Sequence, residues 1–418
     1  MNYNKYFYIY HDYKPQQSNI MKQLIFKFLA IAVVIAFSAS CEKTMVTDED
    51  PGGLTLKSAG IDRVTYIVVL DDAGLKAELS KLKGYEKKQD MMKSASAKIL
   101  KRAGVADGEL GFVYGTALQG FSVKMPPGQL KKLEDDPSVK YIEENQVATI
   151  IQQDIRIKKK PAPTPSGEST PWGVARVNGG VDGTGGTAWI IDTGIDLDHP
   201  DLNVDGTRGA TFVDRTTTPE DDNGHGTHCA GIVGAIDNEI GVIGVAANAT
   251  VVPVKVLNRR GSGTYDAIIA GVDYVADNAS AGDVANMSLG GGYSEILNSA
   301  VEAAAATGVK FALAAGNEST SATVKSPASA EHPNIYTISA MAEGDVWASY
   351  SNYDNPPVDY CEPGSSIYST YKGGGYATMS GTSMAAPHAA GILLLGTIKT
   401  GGYVSGDPDG NADPIGVH

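Results

Sequence analysis

Three short stretches carry side chains that could together perform nucleophilic chemistry. Residues 381–388 read GTSMAAPH, with Ser383 among small residues. The apolar run Ala389–Ile398 that follows reads as a buried helix. Ser383 is therefore expected at a helix N-terminus, where N–H groups lack intrahelical partners and the dipole favours an oxyanion. Pro387 is expected in the first helical turn, where a missing N–H costs nothing. Residues 223–231 read NGHGTHCAG and residues 189–194 read WIIDTG, placing His225 between glycines and Asp192 at the end of an apolar strand. A serine hydroxyl is a poor nucleophile near neutral pH and needs a base to take its proton as it attacks. His225 is the candidate base, and Asp192 the candidate for holding the other imidazole nitrogen. Asn317, in AAGN after another apolar strand, offers a side-chain N–H to a developing negative oxygen. Taken singly, each residue has a structural reading: a helix cap for Ser383, a turn for Asp192, a capping turn for Asn317.

Strands and helices alternate from Pro171 onward and would position these groups. Strands are expected at Thr187–Ile191, Val251–Leu257, Val284–Leu289, Val309–Ala315 and Ile335–Met341. Helices are expected at His225–Ala235, Tyr265–Asn278, Ser294–Thr307 and Thr382–Lys399. Near-continuous apolar strands between helices predict a mostly parallel sheet covered on both faces, an α/β fold. Ligands of such sheets sit at the carboxyl ends of strands. Asp192 and Ser288 fall at strand ends, and Asn317 follows one.

With Asp, His and Ser in that order, these segments resemble the subtilisin-like serine peptidase family, nearest its proteinase K-like branch. The resemblance covers about residues 171–400. It implies a subtilisin-like three-layer domain over 171–405 with residues 406–418 as a tail, and a serine endopeptidase using Asp192, His225 and Ser383 as triad. It makes Asn317 and the Ser383 N–H the oxyanion donors, and His228 structural. It places Ser288, Leu289 and Gly290 on one side of an extended substrate chain and Gly261, Ser262 and Gly263 on the other, where backbone hydrogen bonds would give affinity without strong sequence demand. Ala314, Ala315 and Gly316 would line the main specificity pocket. Their small walls imply a roomy apolar pocket with aromatic or large aliphatic residues before the cut. Cys229, four residues after His225, would be inert packing. Pro333, Ile335 and Asp359 match positions that offer calcium two carbonyls and one carboxylate, a structural cofactor. The rival readings are an inactive surface binding scaffold, against which the intact four-residue set argues, and a narrow processing protease, for which no acidic pocket residues are seen in these segments.

The preceding chain fits an exported zymogen. Residues 61–151 read as a βαββαβ unit with strands at Val64–Leu70 and Lys140–Ile150, a helical stretch Leu75–Ala103, a hairpin over 112–125 and a helix from Pro126 to Ser138. This ferredoxin-like pattern resembles the inhibitory propeptide of the family, which implies an intramolecular inhibitor and chaperone and self-cleavage around Ile151–Gln153. Residues 152–170 are Lys-, Pro- and Ser-rich and read as a linker. Residues 1–41 contain a second start candidate, Met21, then basic residues, ten apolar residues and Ser38-Ala39-Ser40-Cys41, a signal peptide. The cysteine resembles a lipobox, implying lipidation at Cys41 and a bacterial envelope lipoprotein, freed once processing removes the propeptide. The chain has 418 residues with 34 Lys+Arg against 48 Asp+Glu, a net charge of −14 that argues against nucleic acid and anionic membranes as partners. Three cysteines make a disulfide framework a poor expectation. Polypeptide substrates and a monomeric enzyme complete the expectation. Asp407–Asp413 (DPDGNAD) spaces oxygens as calcium loops do but lacks a later acidic ligand.

Overall fold

The computed structural model describes residues 62–105, 107–150, 154–156 and 167–418. The signal segment, Cys41 and most of the linker lie outside them.

The N-terminal unit is built on β1 (Val64–Leu70), α1 (Ala73–Leu79), α2 (Tyr85–Arg102), β2 (Glu109–Tyr114), β3 (Gly120–Met125), α3 (Leu130–Glu134) and β4 (Val139–Glu144). Its sheet has the order β2-β3-β1-β4, with β1 antiparallel to both neighbours. One face of the sheet buries Val68, Phe121 and Val123 with Met92, Ile99 and Leu133 from the helices. The sequence pattern merged α1 with α2, which Gly84, at φ 93°, separates. It also ran β4 into the next segment. Those residues instead divide at Asn145-Gln146, and β5 (Val147–Ile150) leaves the first sheet altogether.

The larger unit carries β6 (Thr187–Asp192), α4 (His225–Gly234), β7 (Thr250–Lys255), β8 (Ser262–Thr264), α5 (Tyr265–Asn278), β9 (Val284–Met287), β10 (Leu289–Gly292), α6 (Glu295–Ala305), β11 (Lys310–Ala314), β12 (Lys325–Ser326), β13 (Ile335–Ala342), β14 (Val358–Pro363), β15 (Ile367–Tyr371), β16 (Gly375–Ser380), α7 (Thr382–Leu395), β17 (Lys399–Tyr403) and β18 (Pro414–Val417). The main sheet runs β7-β6-β9-β11-β13-β14-β18-β17, parallel from β7 to β18. Helices α5 and α6 cover one face, burying Ile268, Val272, Leu297 and Val301 with Trp189 and Phe311. Helices α4 and α7 cover the other, burying Val233, Ala386 and Leu393 with Ile190 and Ala312. Each fully buried aliphatic side chain contributes roughly 1.5–3 kcal/mol relative to exposure.

Two expectations change. Residues 406–418, read as a tail, end in a strand: Ile415 pairs with Cys361 and both are fully buried. Asp413 is also buried and accepts from Asn355 Nδ2 at 2.7 Å and from Ser339 Oγ. The apolar alternation of Ile415 and Val417 follows directly on a charged loop. Pro387 stands sixth in α7, within the helix rather than in its first turn.

Candidate active site

Asp192 and the helices that carry His225 and Ser383 come together at the carboxyl end of the strand that Asp192 closes. Asp192 closes β6, and His225 opens α4. Both are fully buried, and His225 Nδ1 lies 2.8 and 2.9 Å from the two Asp192 carboxylate oxygens. Beside the two Asp192 oxygens Nδ1 carries a proton, which leaves Nε2 as the nitrogen that can take up or release a second one. Nε2 is buried and has no hydrogen-bond partner among the described residues. Burial alone would lower this imidazole's pKa, but the Asp192 charge and hydrogen bond override it and hold it well above the usual value.

The close approach of α4 to the Asp192 loop depends on a glycine and a carboxylate. A Cβ on Gly226 would meet the Gly194 carbonyl at 2.1 Å. Asp221 Oδ1 accepts from Thr193 Oγ1 and from the N–H groups of Asn223 and Gly224, at 2.9, 2.9 and 2.8 Å. Its Oδ2 accepts from Thr227 N and Oγ1 at 3.0 and 2.6 Å. Asp221 thus ties the residue after Asp192 to the first turn of the His225 helix. Sequence reasoning missed it, although it lies four residues before the histidine. His228 Nε2 donates to the Ile367 and Ala377 carbonyls, and burial depresses its pKa to about 3, so it is a neutral structural residue.

Ser383 is the second residue of α7 and fully buried. Its Oγ donates to the Ser288 carbonyl at 3.0 Å. Asn317 follows Gly316, whose φ of 113° turns the chain sharply after β11; a Cβ there would meet Asn352 Nδ2 at 2.1 Å. Asn317 Oδ1 accepts from Thr382 N and Oγ1 at 2.9 and 3.0 Å, which fixes which end of the amide is the oxygen. Cys229 lies beside His225, with Sγ 4.0 Å from Nδ1. Burial raises its pKa, so it stays a thiol. Asp192, His225 and Cys229 have metal-ligand types within 4.8 Å of one another, but a protonated thiol and an Nδ1–H already bonded to Asp192 do not suit a metal.

The two segments expected to flank a substrate chain do flank a chain, the protein's own. β5 lies antiparallel between β8 and β10. Thr149 pairs with both Ser262 and Gly290, Ile150 pairs with Leu289, and Ile150 N donates to the Gly261 carbonyl at 2.8 Å. Beyond the undescribed residues, Asp154–Arg156 pairs antiparallel with β16, just before Ser383. The N-terminal unit is locked on by further contacts. Asp273 accepts from the N–H groups of Gly115, Thr116 and Ala117 at 3.1, 2.7 and 2.7 Å. Glu143 accepts from Ile296 N at 3.1 Å and Asn145 from Asp266 N at 3.1 Å, so the unit caps the N-termini of α6 and α5.

Ala314, Ala315 and Gly316 line a cavity together with Gly290 and Gly291, but it holds only about 10 Å³ and is not the roomy pocket that the small walls implied. Glu318 and Lys325 also line it, so it is not purely apolar. Glu318 sits one residue past the AAGN motif and was missed for that reason.

The subtilase family model matches residues 183–399, more than half of the chain. The chain belongs to the subtilase family. The peptidase inhibitor I9 model matches residues 65–150. This subtilase is 40% identical over 296 residues to alkaline serine exoprotease A of Vibrio alginolyticus, covering 68% of this chain and 52% of that protein. It thus spans about half the length of that relative. It is 40% identical to the subtilisin-like serine protease AsES of Sarocladium strictum, over 67% of this chain and 71% of that one. Subtilisin NAT of Bacillus subtilis subsp. natto is 37% identical over 325 residues, covering 75% of this chain and 78% of its own. The subtilase described here is a subtilisin-like serine protease with an inhibitory propeptide, a zymogen with peptide substrates.

Proposed function

We propose that this subtilase is an exported endopeptidase that cleaves itself and then extended polypeptides, with Asp192, His225, Ser383 and Asn317 as its catalytic residues. The observation that carries this is β5, a strand of the chain's own propeptide, paired on both edges in the groove that leads to Ser383. A strand bound through its backbone gives affinity for any extended chain, which supports Ser288–Gly290 and Gly261–Gly263 as substrate-binding segments.

In this reading Ser383 Oγ releases the Ser288 carbonyl, attacks the carbonyl carbon of the scissile bond and passes its proton to His225 Nε2. Asp192 holds Nδ1–H and stabilises the imidazolium as it forms. The negative oxygen is received by the Asn317 amide and the Ser383 N–H at the start of α7. His225 returns its proton to the leaving amine, and water repeats the sequence on the acyl-enzyme. The uncharged walls at residues 314–316 support a preference for uncharged side chains before the cut.

A structural calcium at Pro333, Ile335 and Asp359 is part of the proposal. The pairing of β13 with β14 shifts between Thr337 and Ile338, leaving Asp359 as the extra residue of a bulge. A bulge re-aims its side chain. One Asp359 oxygen accepts from Thr337 N at 2.9 Å, leaving the other for a cation, and the donor set of hard oxygens suits calcium. Export as a lipoprotein through Cys41, with release on processing, completes the reading. No helix among the described residues is long and apolar enough to cross a membrane.

The test is intact-mass and N-terminal analysis of purified wild type beside Ser383→Ala. Splitting in wild type alone, between about residues 148 and 170, is expected. Splitting in both, or in neither, would overturn self-processing by Ser383.

A further inference from the structure

The cavity beside Gly316 contains an ion pair with no role in the chemistry above. Glu318 and Lys325 both line it, with Lys325 Nζ 3.1 Å from Glu318 Oε1. The other lining residues are glycine, alanine and serine, so these two alone decide its charge. They are held differently. Glu318 is clamped by Asn352, which is fully buried: Asn352 Nδ2 donates to Glu318 Oε2 at 2.8 Å, and Asn352 Oδ1 accepts from Glu318 N at 3.0 Å. The same Nδ2 donates to the Ala315 carbonyl at 3.0 Å, so one side chain fixes both the cavity wall and the carboxylate. Lys325 reaches over from β12, whose pairing with β10 sets Lys325 opposite Gly292. Its side chain is 22% exposed while that of Glu318 is 50% exposed.

We infer that Lys325 sets the charge preference of this protease for the residue before the cut, by cancelling a fixed carboxylate in the wall of the specificity pocket. The inference rests on the reading of residues 314–316 as the wall of that pocket. With both charges present, the pocket is neutral. A lysine or arginine substrate meets the Lys325 ammonium, an acidic one meets Glu318, and an uncharged side chain meets neither penalty. Loss of Lys325 would leave the Glu318 carboxylate in place, because Asn352 and not Lys325 orients it. The pocket wall would then carry an unpaired anion, the arrangement that attracts a cationic side chain. Loss of Glu318 should matter less, because a lysine stem is flexible and can carry its ammonium out to water.

The experiment uses matured wild type, Lys325→Met, Lys325→Gln, Glu318→Gln and the Lys325→Met/Glu318→Gln double variant. The substrates are chromogenic tetrapeptides differing only at the last residue: Leu, Phe, Lys or Glu. Both Lys325 variants should raise the Lys-to-Leu ratio of kcat/KM by about fivefold, the upper end for a partly exposed charge pair. The double variant should return within about threefold of wild type, since no unpaired charge remains. A ratio within about twofold of wild type in both Lys325 variants, or an equal rise in the double variant, overturns the inference. Ala328→Val separates it from the pocket reading. If this wall change alters the Phe-to-Leu ratio while the Lys325 variants do nothing, the pocket stands and the charge role falls. If it alters nothing either, the pocket itself is misplaced and the inference falls with it.

Discussion

Cys229 Sγ donates to the backbone carbonyl of Ser383 at 3.4 Å, a bond that a proline makes possible. Pro387, four residues after Ser383 in α7, has no N–H to offer that carbonyl. Two side chains from outside the helix take the vacant place: Cys229 and Ser288, whose Oγ donates at 2.9 Å. Asn286 Nδ2 in turn donates to Ser288 Oγ at 2.9 Å, so the nucleophile's main chain is tied to the end of β9. A thiol is the weaker donor. Cys229→Ala should therefore lower stability by about 1 kcal/mol and kcat by less than about tenfold, with Ser288→Ala costing more. Active-site titration beside thermal unfolding checks both. In the native state the Cys229 thiol should resist thiol reagents, because burial keeps it protonated.

The register of β5 predicts the maturation site. Ile150 faces Leu289, so the next step of the same ladder is Ser288, the residue whose carbonyl accepts from Ser383 Oγ. The scissile bond is then expected after Ile151. N-terminal sequencing of the mature enzyme should begin at Gln152, unless later trimming removes linker residues. Ile150→Pro would remove the N–H that Gly261 accepts and should slow maturation by about tenfold, read as the half-life of the full-length band.

Asp273 should govern how tightly the cleaved propeptide inhibits. Asp273→Ala leaves the Gly115, Thr116 and Ala117 N–H groups without their acceptor and should raise the inhibition constant by about tenfold or more. Burial pushes the Asp273 carboxyl up to about 6, the N–H bonds opposing it. Because this pKa is raised in the complex, the complex carries a proton that the free enzyme lacks between about pH 4 and 6. Inhibition is thus tightest at acid pH and weakens as pH rises through about 6. Inhibition constants across that range, flattening in Asp273→Ala, are the check.

Self-processing should speed up with rising pH. The pKa of His225 is held well above its ordinary value, and catalysis needs the neutral ring. The sign for stability is the reverse. The charged His225–Asp192 pair stabilises the fold fully below the unfolded histidine value of about 6.5, and this is lost as pH rises through the folded value. The processing rate should inflect above about pH 6.5. Asp192→Asn removes the charge and lets burial dominate, so the inflection should move toward acid while kcat drops by about 10⁴.

Calcium removal should lower thermal stability. Chelation is expected to reduce Tm by several degrees, about 2–4 °C per kcal/mol lost in a domain of this size. Asp359→Asn should reproduce most of that loss and be insensitive to chelator. An unchanged Tm in both experiments would remove the calcium proposal.

The chemistry-bearing motifs could be read locally because each depends on its immediate neighbours. The glycines around His225, the apolar strand ending at Asp192 and the small residues around Ser383 are requirements of close backbone approach and helix entry. The helix Tyr265–Asn278 was legible to the residue, since its apolar periodicity is uninterrupted. By contrast, Asn145-Gln146 carries no strong local break, and only the groove between β8 and β10 decides that Val147–Ile150 leaves one sheet for another. The pairing of Pro414–Val417 with β14 likewise needs a partner strand more than fifty residues away. Asp221, Asp273, Glu318 and Lys325 bear charges that are ordinary in the sequence. Sequence by itself marked the candidate reactive set and determined the order of the elements that carry it, because those follow from short-range backbone and periodicity demands. Tertiary structure alone decided which charges meet, because a carboxylate takes its role from donors and cations that folding brings from distant segments.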